Sequence, residues 1–143
     1  MLNQNMQGLT GREKLEKTLK FMIKKVIHGC CLQDTCLLRK FSKTIRGHLL
    51  LHHGMATKPC HRGRAGCGVA IIIGPTLLRA WDMAGKPSPL TSPPNSDFPG
   101  WMIGVTLCFP NCSNKRADKF HKRVKGNIKI FLASIYHLVD HKY

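Results

Sequence analysis

Apolar residues recur at helical spacing near the start of the chain and then give way to short apolar runs. Leu15, Leu19, Met22, Ile23 and Val26 fall three or four residues apart, with lysines on the other faces. Ahead of them, Thr10-Gly11-Arg12-Glu13 has the Ser/Thr-x-x-Glu form of a capping box. Lys24 and Lys25 fall in the last turn and Gly29 follows as a stop. This pattern predicts a helix over residues 11–27. A short strand follows at 30–33 and ends in the polar triplet Gln33-Asp34-Thr35. Residues 36–46 read as basic and irregular, 47–54 as a strand with polar ends, and 55–66 as a loop by their Pro and Gly. Residues 67–74, CGVAIIIG, are continuously apolar and rich in β-branched side chains, as in a strand buried on both faces. Pro75 stands at a first helical position and opens a short helix. Residues 86–100 form a Pro-rich connection. Two further strands, 101–109 and 128–138, flank a basic loop at 110–127 and are placed to pair as a hairpin.

The resulting order is helix, three strands, helix, two strands, which predicts an α/β fold with several core strands and few helices. No internal repeat is present. A length of 143 residues suits one domain. The expected division is a disordered N-terminus over 1–10, the domain over 11–140 and a tail over 141–143. The longest apolar run, Gly68 to Leu78, is interrupted by Gly74 and Pro75 and is too short to cross a membrane.

Charge changes the picture most. There are 23 Lys and Arg against 7 Asp and Glu, a formal net charge of +16. Such a balance favours polyanionic partners such as nucleic acid, or anionic membrane surfaces, and points toward weak, salt-sensitive nucleic-acid binding without sequence specificity. Arg62, Arg64, Lys115, Arg116, Lys122 and Arg123 are the candidate phosphate contacts. Aromatic residues are only 7%, so no surface for stacking many bases is advertised. The seven cysteines show no Cys-x-x-Cys spacing, which argues against a zinc ribbon or finger. No secretory signal is evident in the first residues. The expectation is therefore reduced, mostly buried thiols in an intracellular protein, nuclear or cytoplasmic and not secreted.

Three segments carry a family resemblance, in this order. Leu32-Gln33-Asp34-Thr35 is similar to a strand end written Leu-Gln-Glu-Thr. Arg62 to Ile71, ending Cys67-Gly68-Val69-Ala70-Ile71, is similar to a Gly-Gly-Val-Ala-Ile strand. Ile130 to His137 is similar to a strand ending in Tyr-x-Pro. Together they resemble the endonuclease/exonuclease/phosphatase superfamily with the DNase I-like fold, and within it the endonuclease domain that accompanies reverse transcriptase in non-long-terminal-repeat retrotransposons. The resemblance covers about residues 12–140. It implies a fragment of a two-sheet α/β sandwich flanked by helices, and a magnesium-dependent phosphodiesterase that cuts DNA. It also implies Asp34 as the metal ligand, Gln33 as the neighbour that orients it or the substrate, and Tyr136 as a hydrogen-bond donor to the phosphate. A carboxylate suits magnesium, which prefers hard oxygen ligands.

The sequence also departs from that pattern. Asp34 stands where the family usually has Glu, Cys67 where it has Gly, and Leu138 where it has Pro. The family needs an Asn on a first strand, before the helix that begins near residue 11, and that strand is expected to be missing here. Its Gly-Asp-x-Asn and Ser-Asp-His segments do not occur in the 143 residues. The expectation is thus a truncated and inactive piece of a retrotransposon-type endonuclease. The alternative is a small, basic, non-catalytic nucleic-acid-binding protein.

Overall fold

The computed structural model describes residues 1–9, 12–37, 39–54, 68–93, 102–110 and 127–135. Among the described residues, eight strands and two helices run in the order β1 (Leu2–Asn5), α1 (Arg12–Lys24), β2 (Gly29–Gln33), β3 (Phe41–Ile45), β4 (His48–His53), β5 (Val69–Ile73), α2 (Pro75–Met83), β6 (Leu90–Thr91), β7 (Met102–Phe109) and β8 (Ile128–Ile135). They form a mixed α/β fold with two sheets. The larger sheet has the order β1-β2-β5-β4-β3, and the smaller the order β6-β7-β8. β1 runs parallel to β2, and every other neighbouring pair is antiparallel.

β5 is the centre of the molecule. Val69, Ile71 and Ile73 point to one face, Ala70 and Ile72 to the other, and all five are fully buried. Continuous apolarity is what a strand covered on both sides requires. One core lies under α1, where Leu19 and Met22 meet Cys30, Leu32, Leu50 and Ile72. The second lies between the sheets, where Cys31, Leu51 and Ile71 meet Ile103, Val105 and Leu107. α2 joins this second core through Leu77, Leu78, Ala80 and Trp81. Burying one such Ile or Leu side chain contributes roughly 1.5–3 kcal/mol.

The structure corrects the sequence expectations at three places. Residues 1–10 were expected to lack structure, yet Leu2–Asn5 form β1, paired in register with Cys30 to Gln33. A four-residue strand carrying one apolar side chain has no alternation to detect. It is held by its parallel neighbour and by Leu2 against the first core. Residues 36–46 were expected to be irregular, yet Phe41–Ile45 form β3 and pair with β4. Phe41 and Ile45 pack on the first core while residues 42–44 are exposed. Arg46 and Gly47 close the hairpin with φ of +51° and +73°, the two-residue geometry that matches strand twist.

The third correction is the end of α1. Gly29 is not its stop but the first residue of β2. The helix ends in a Schellman arrangement around Val26, which takes φ +54°, and the Ile27 N–H reaches back to the Met22 carbonyl at 2.8 Å. The expected strands at 47–54, 67–74, 101–109 and 128–138 and the helix opening at Pro75 are present with boundaries shifted by a few residues. β7 and β8 pair directly, as the hairpin expectation required.

Candidate functional site at the ends of β1, β2 and β8

β1 and β2 are parallel, so their C-terminal ends lie together. Asn5 stands opposite Gln33 in the register, and Asn3 opposite Cys31. Past the strand ends the two chains stay joined. The Met6 N–H donates to the Gln33 carbonyl at 2.8 Å, Gly8 to Asp34 at 2.7 Å, and Leu9 to Thr35 at 2.6 Å. Asp34 sits in this zippered segment with φ +52°, and Cys36 follows with φ +54°. Asp tolerates the left-handed region better than most side chains, because its short polar group bonds locally. The Asp34 Oδ1 accepts a hydrogen bond from the Cys36 thiol at 3.3 Å. A thiol is a weak donor, so most of the carboxylate's lone-pair capacity is left for other partners.

The second sheet reaches the same place. Cys31 Sγ donates to the Ala133 carbonyl at 3.5 Å, Ser134 Oγ to the Leu32 carbonyl at 3.1 Å, and Gln33 Nε2 to the Ile135 carbonyl at 2.7 Å. These three contacts clamp the end of β8 to the end of β2. A cavity of about 280 Å³ lies at the junction, with Asn3, Cys31, Gln33, Ser134 and Ile135 in its wall. Burial raises the thiol pKa of both cysteines of β2, Cys30 to about 12. Both thiols therefore stay protonated at neutral pH, which makes them poor nucleophiles.

Under Asp34 lies a buried polar pair. Thr35 is fully buried, and its hydroxyl is 2.7 Å from His52 Nε2. His52 Nδ1 is 2.6 Å from the Arg39 carbonyl. A carbonyl only accepts, so Nδ1 carries the proton, and the neutral ring accepts the Thr35 hydroxyl at Nε2. Phe41 stacks on the imidazole at 4.8 Å between centroids. Burial holds His52 below the ordinary histidine range, against the raising effect of the Arg39 hydrogen bond.

Of the residues singled out from sequence, Gln33 and Asp34 stand side by side at this site. Tyr136, Arg62, Arg64, Lys115, Arg116, Lys122 and Arg123 lie outside the described residues. Ile135, the neighbour of Tyr136, is the residue that Gln33 holds. The basic stretch from Arg39 to Arg46 becomes the rim of the β3–β4 hairpin, with Arg39, Lys40, Lys43 and Arg46 exposed. Asn5 was missed in the sequence, where no first strand was recognised. The signal available was Asn5 itself, placed ahead of the helix whose crossover returns the chain parallel to β1.

Among the described residues, no group of three or more His, Cys, Asp or Glu side chains gathers to hold a metal ion. At these strand ends the Asp34 carboxylate is a hard oxygen donor of the kind magnesium takes, while the Asn5 Oδ1 accepts the Gln7 N–H at 3.0 Å. No helix among the described residues is long and apolar enough to cross a membrane. Comparison with known proteins finds no matching family model, no matching curated protein and no matching solved structure.

Proposed function

We propose that the chain carries part of a magnesium-dependent phosphodiesterase site of the DNase I-like kind, acting on nucleic acid and of retrotransposon origin. The observation that carries this reading is the position of Asp34. It follows Gln33, the last residue of β2, which stands opposite Asn5 of the parallel strand and holds the Ile135 carbonyl at the end of β8. Two stacked sheets with α1 on the outer face agree with the same reading. In this assignment Asp34 holds the ion, Asn5 lends an amide, and Gln33 orients the pair by being fixed to β8. Tyr136, the residue after Ile135 in the sequence, is assigned a hydrogen bond to the phosphate. The ion, when bound, polarises the phosphate and stabilises the leaving oxyanion.

The same reading makes the chain a poor catalyst. Asp is one methylene shorter than Glu, which withdraws the carboxylate by on the order of 1.5 Å. Among the described residues Asp34 belongs to no group of three or more His, Cys, Asp or Glu that could hold an ion. Plasmid nicking in magnesium is therefore expected to stay at the level of the Asp34→Ala variant. Metal binding is the positive test. Titrating the protein with Mn²⁺ should broaden the backbone NMR signals of Asn5, Gln33 and Asp34 first. Asp34→Ala should abolish this, and Asp34→Glu should tighten it. Broadening centred elsewhere, or unaffected by Asp34→Ala, rejects the assignment.

The net charge of +16 favours a second reading, a basic protein that binds nucleic acid without catalysis. A mobility shift that persists in chelator, weakens steeply with salt and ignores Asp34→Ala would select it, provided Mn²⁺ also leaves Asp34 untouched.

A further inference from the structure

We infer that Thr35 and His52 form a buried latch that positions Asp34. The inference rests on the reading of Asp34 as the functional carboxylate. Asp34 holds φ +52°, a left-handed conformation that is strained for an L residue and needs support from its surroundings. Both of its neighbours are anchored. Gln33 is fixed through its side chain to the Ile135 carbonyl. Thr35 is fixed through its hydroxyl to His52 Nε2 at 2.7 Å, and through its N–H to the Gly68 carbonyl at 3.0 Å. The carboxylate direction is therefore set by the two residues that flank it.

The His52 end of the latch is equally constrained. The Arg39 carbonyl fixes the tautomer, and Phe41 covers one face of the ring. Gly54 and Gly68 leave room for nothing more. A Cβ on Gly68 would strike the Thr35 hydroxyl and come within 2.7 Å of His52 Nε2, and one on Gly54 within 2.8 Å of His52 Cε1. Thr35 and His52 are both buried, so loss of the hydroxyl leaves Nε2 a buried acceptor without its donor. Thr35 and His52 act on the site through Asp34 and are positioning residues.

Hydrogen exchange at the Gly8, Leu9 and Thr35 amides tests this. These amides bond across the segment that carries Asp34. Thr35→Val should speed their exchange about tenfold or more, with a smaller change at Ile71 and Ile72. Thr35→Ser, which keeps the hydroxyl, should restore protection. Thr35→Val with His52→Phe should loosen the segment no further than Thr35→Val alone. A uniform change that includes β5, or a serine variant as loose as the valine, overturns the inference. A measurement on the unaltered protein guards against variants that fail to fold. The imidazole ¹⁵N shifts at neutral pH should report a protonated Nδ1 and a bare Nε2, and the opposite tautomer also overturns it. The Mn²⁺ titration separates this inference from the one it rests on. An intact latch with no Mn²⁺ effect at Asp34 removes the metal reading alone. Mn²⁺ broadening that survives Thr35→Val removes the latch alone.

Discussion

Val26 is a β-branched, largely exposed residue held at φ +54°, the conformation that branching tolerates least. It is there because the helix must turn back to deliver Ile27 to the first core. Val26→Gly removes the clash without opening a cavity. It is expected to stabilise the protein by about 0.5–1 kcal/mol, after the extra flexibility of the unfolded chain is subtracted. A higher midpoint in urea unfolding at unchanged slope checks it. The opposite case is Gly68. Gly68→Ala drives a methyl into the Thr35 hydroxyl and the His52 ring, with an expected loss of about 1–3 kcal/mol read in the same assay. Sequence showed the role of Gly68 only as part of an apolar run, because the partners that crowd it come from residues 35 and 52. Asp34 was legible at this scale, since a polar triplet ending an apolar strand is a local signal. Asn5 was not, since its meaning depends on a parallel neighbour 28 positions away in the register.

At the scale of elements, legibility followed burial. β5, β7 and α1 carry enough apolar residues to declare their period, and each was placed from sequence. β3 was missed because Ser42, Lys43 and Thr44 look outward in the middle of five residues, leaving only Phe41 and Ile45 to mark the strand. The tightness of its turn was hidden because Arg46 shares the positive-φ pair with Gly47. β8 presents a different imbalance. Ile128, Ile130, Phe131 and Ile135 are each about half exposed on a strand at the edge of its sheet. Unpaired, apolar edges invite association with other chains. Replacing Ile128 and Ile130 together with threonine keeps strand propensity and lowers that apolarity. The soluble fraction on expression should rise, while stability changes by no more than about 0.5 kcal/mol per site. An unchanged yield would show that association starts elsewhere.

The whole molecule couples its stability to pH through two neighbouring histidines. Burial lowers the pKa of His52 and of His53, with the Lys40 charge adding to the effect on His53. The unfolded chain therefore takes up protons at the ordinary value of 6.5, where the folded chain does not. Their contribution to stability is complete above that value and is lost progressively as pH falls below it. The melting temperature should drop between about pH 7.5 and 5.5, a window in which carboxylates stay ionised. His52→Gln should flatten part of that slope, and a flat profile in the unaltered protein would contradict the buried, neutral assignment.

The clamp between β2 and β8 sets the order in which the molecule can be completed. Cys31, Gln33 and Ser134 join segments 102 residues apart. At about 5–20 residues per second, synthesis leaves β2 waiting on the order of 5–20 s for its second-sheet partner. Through that interval the larger sheet can pair its strands and cover one side with α1, while Cys31, Leu51 and Ile71 still face water. The nascent chain thus passes through a half-covered sheet whose lifetime is set by the ribosome. It is during this wait, before the end of β8 arrives to shape the candidate site, that the protein depends most on being shielded from its neighbours.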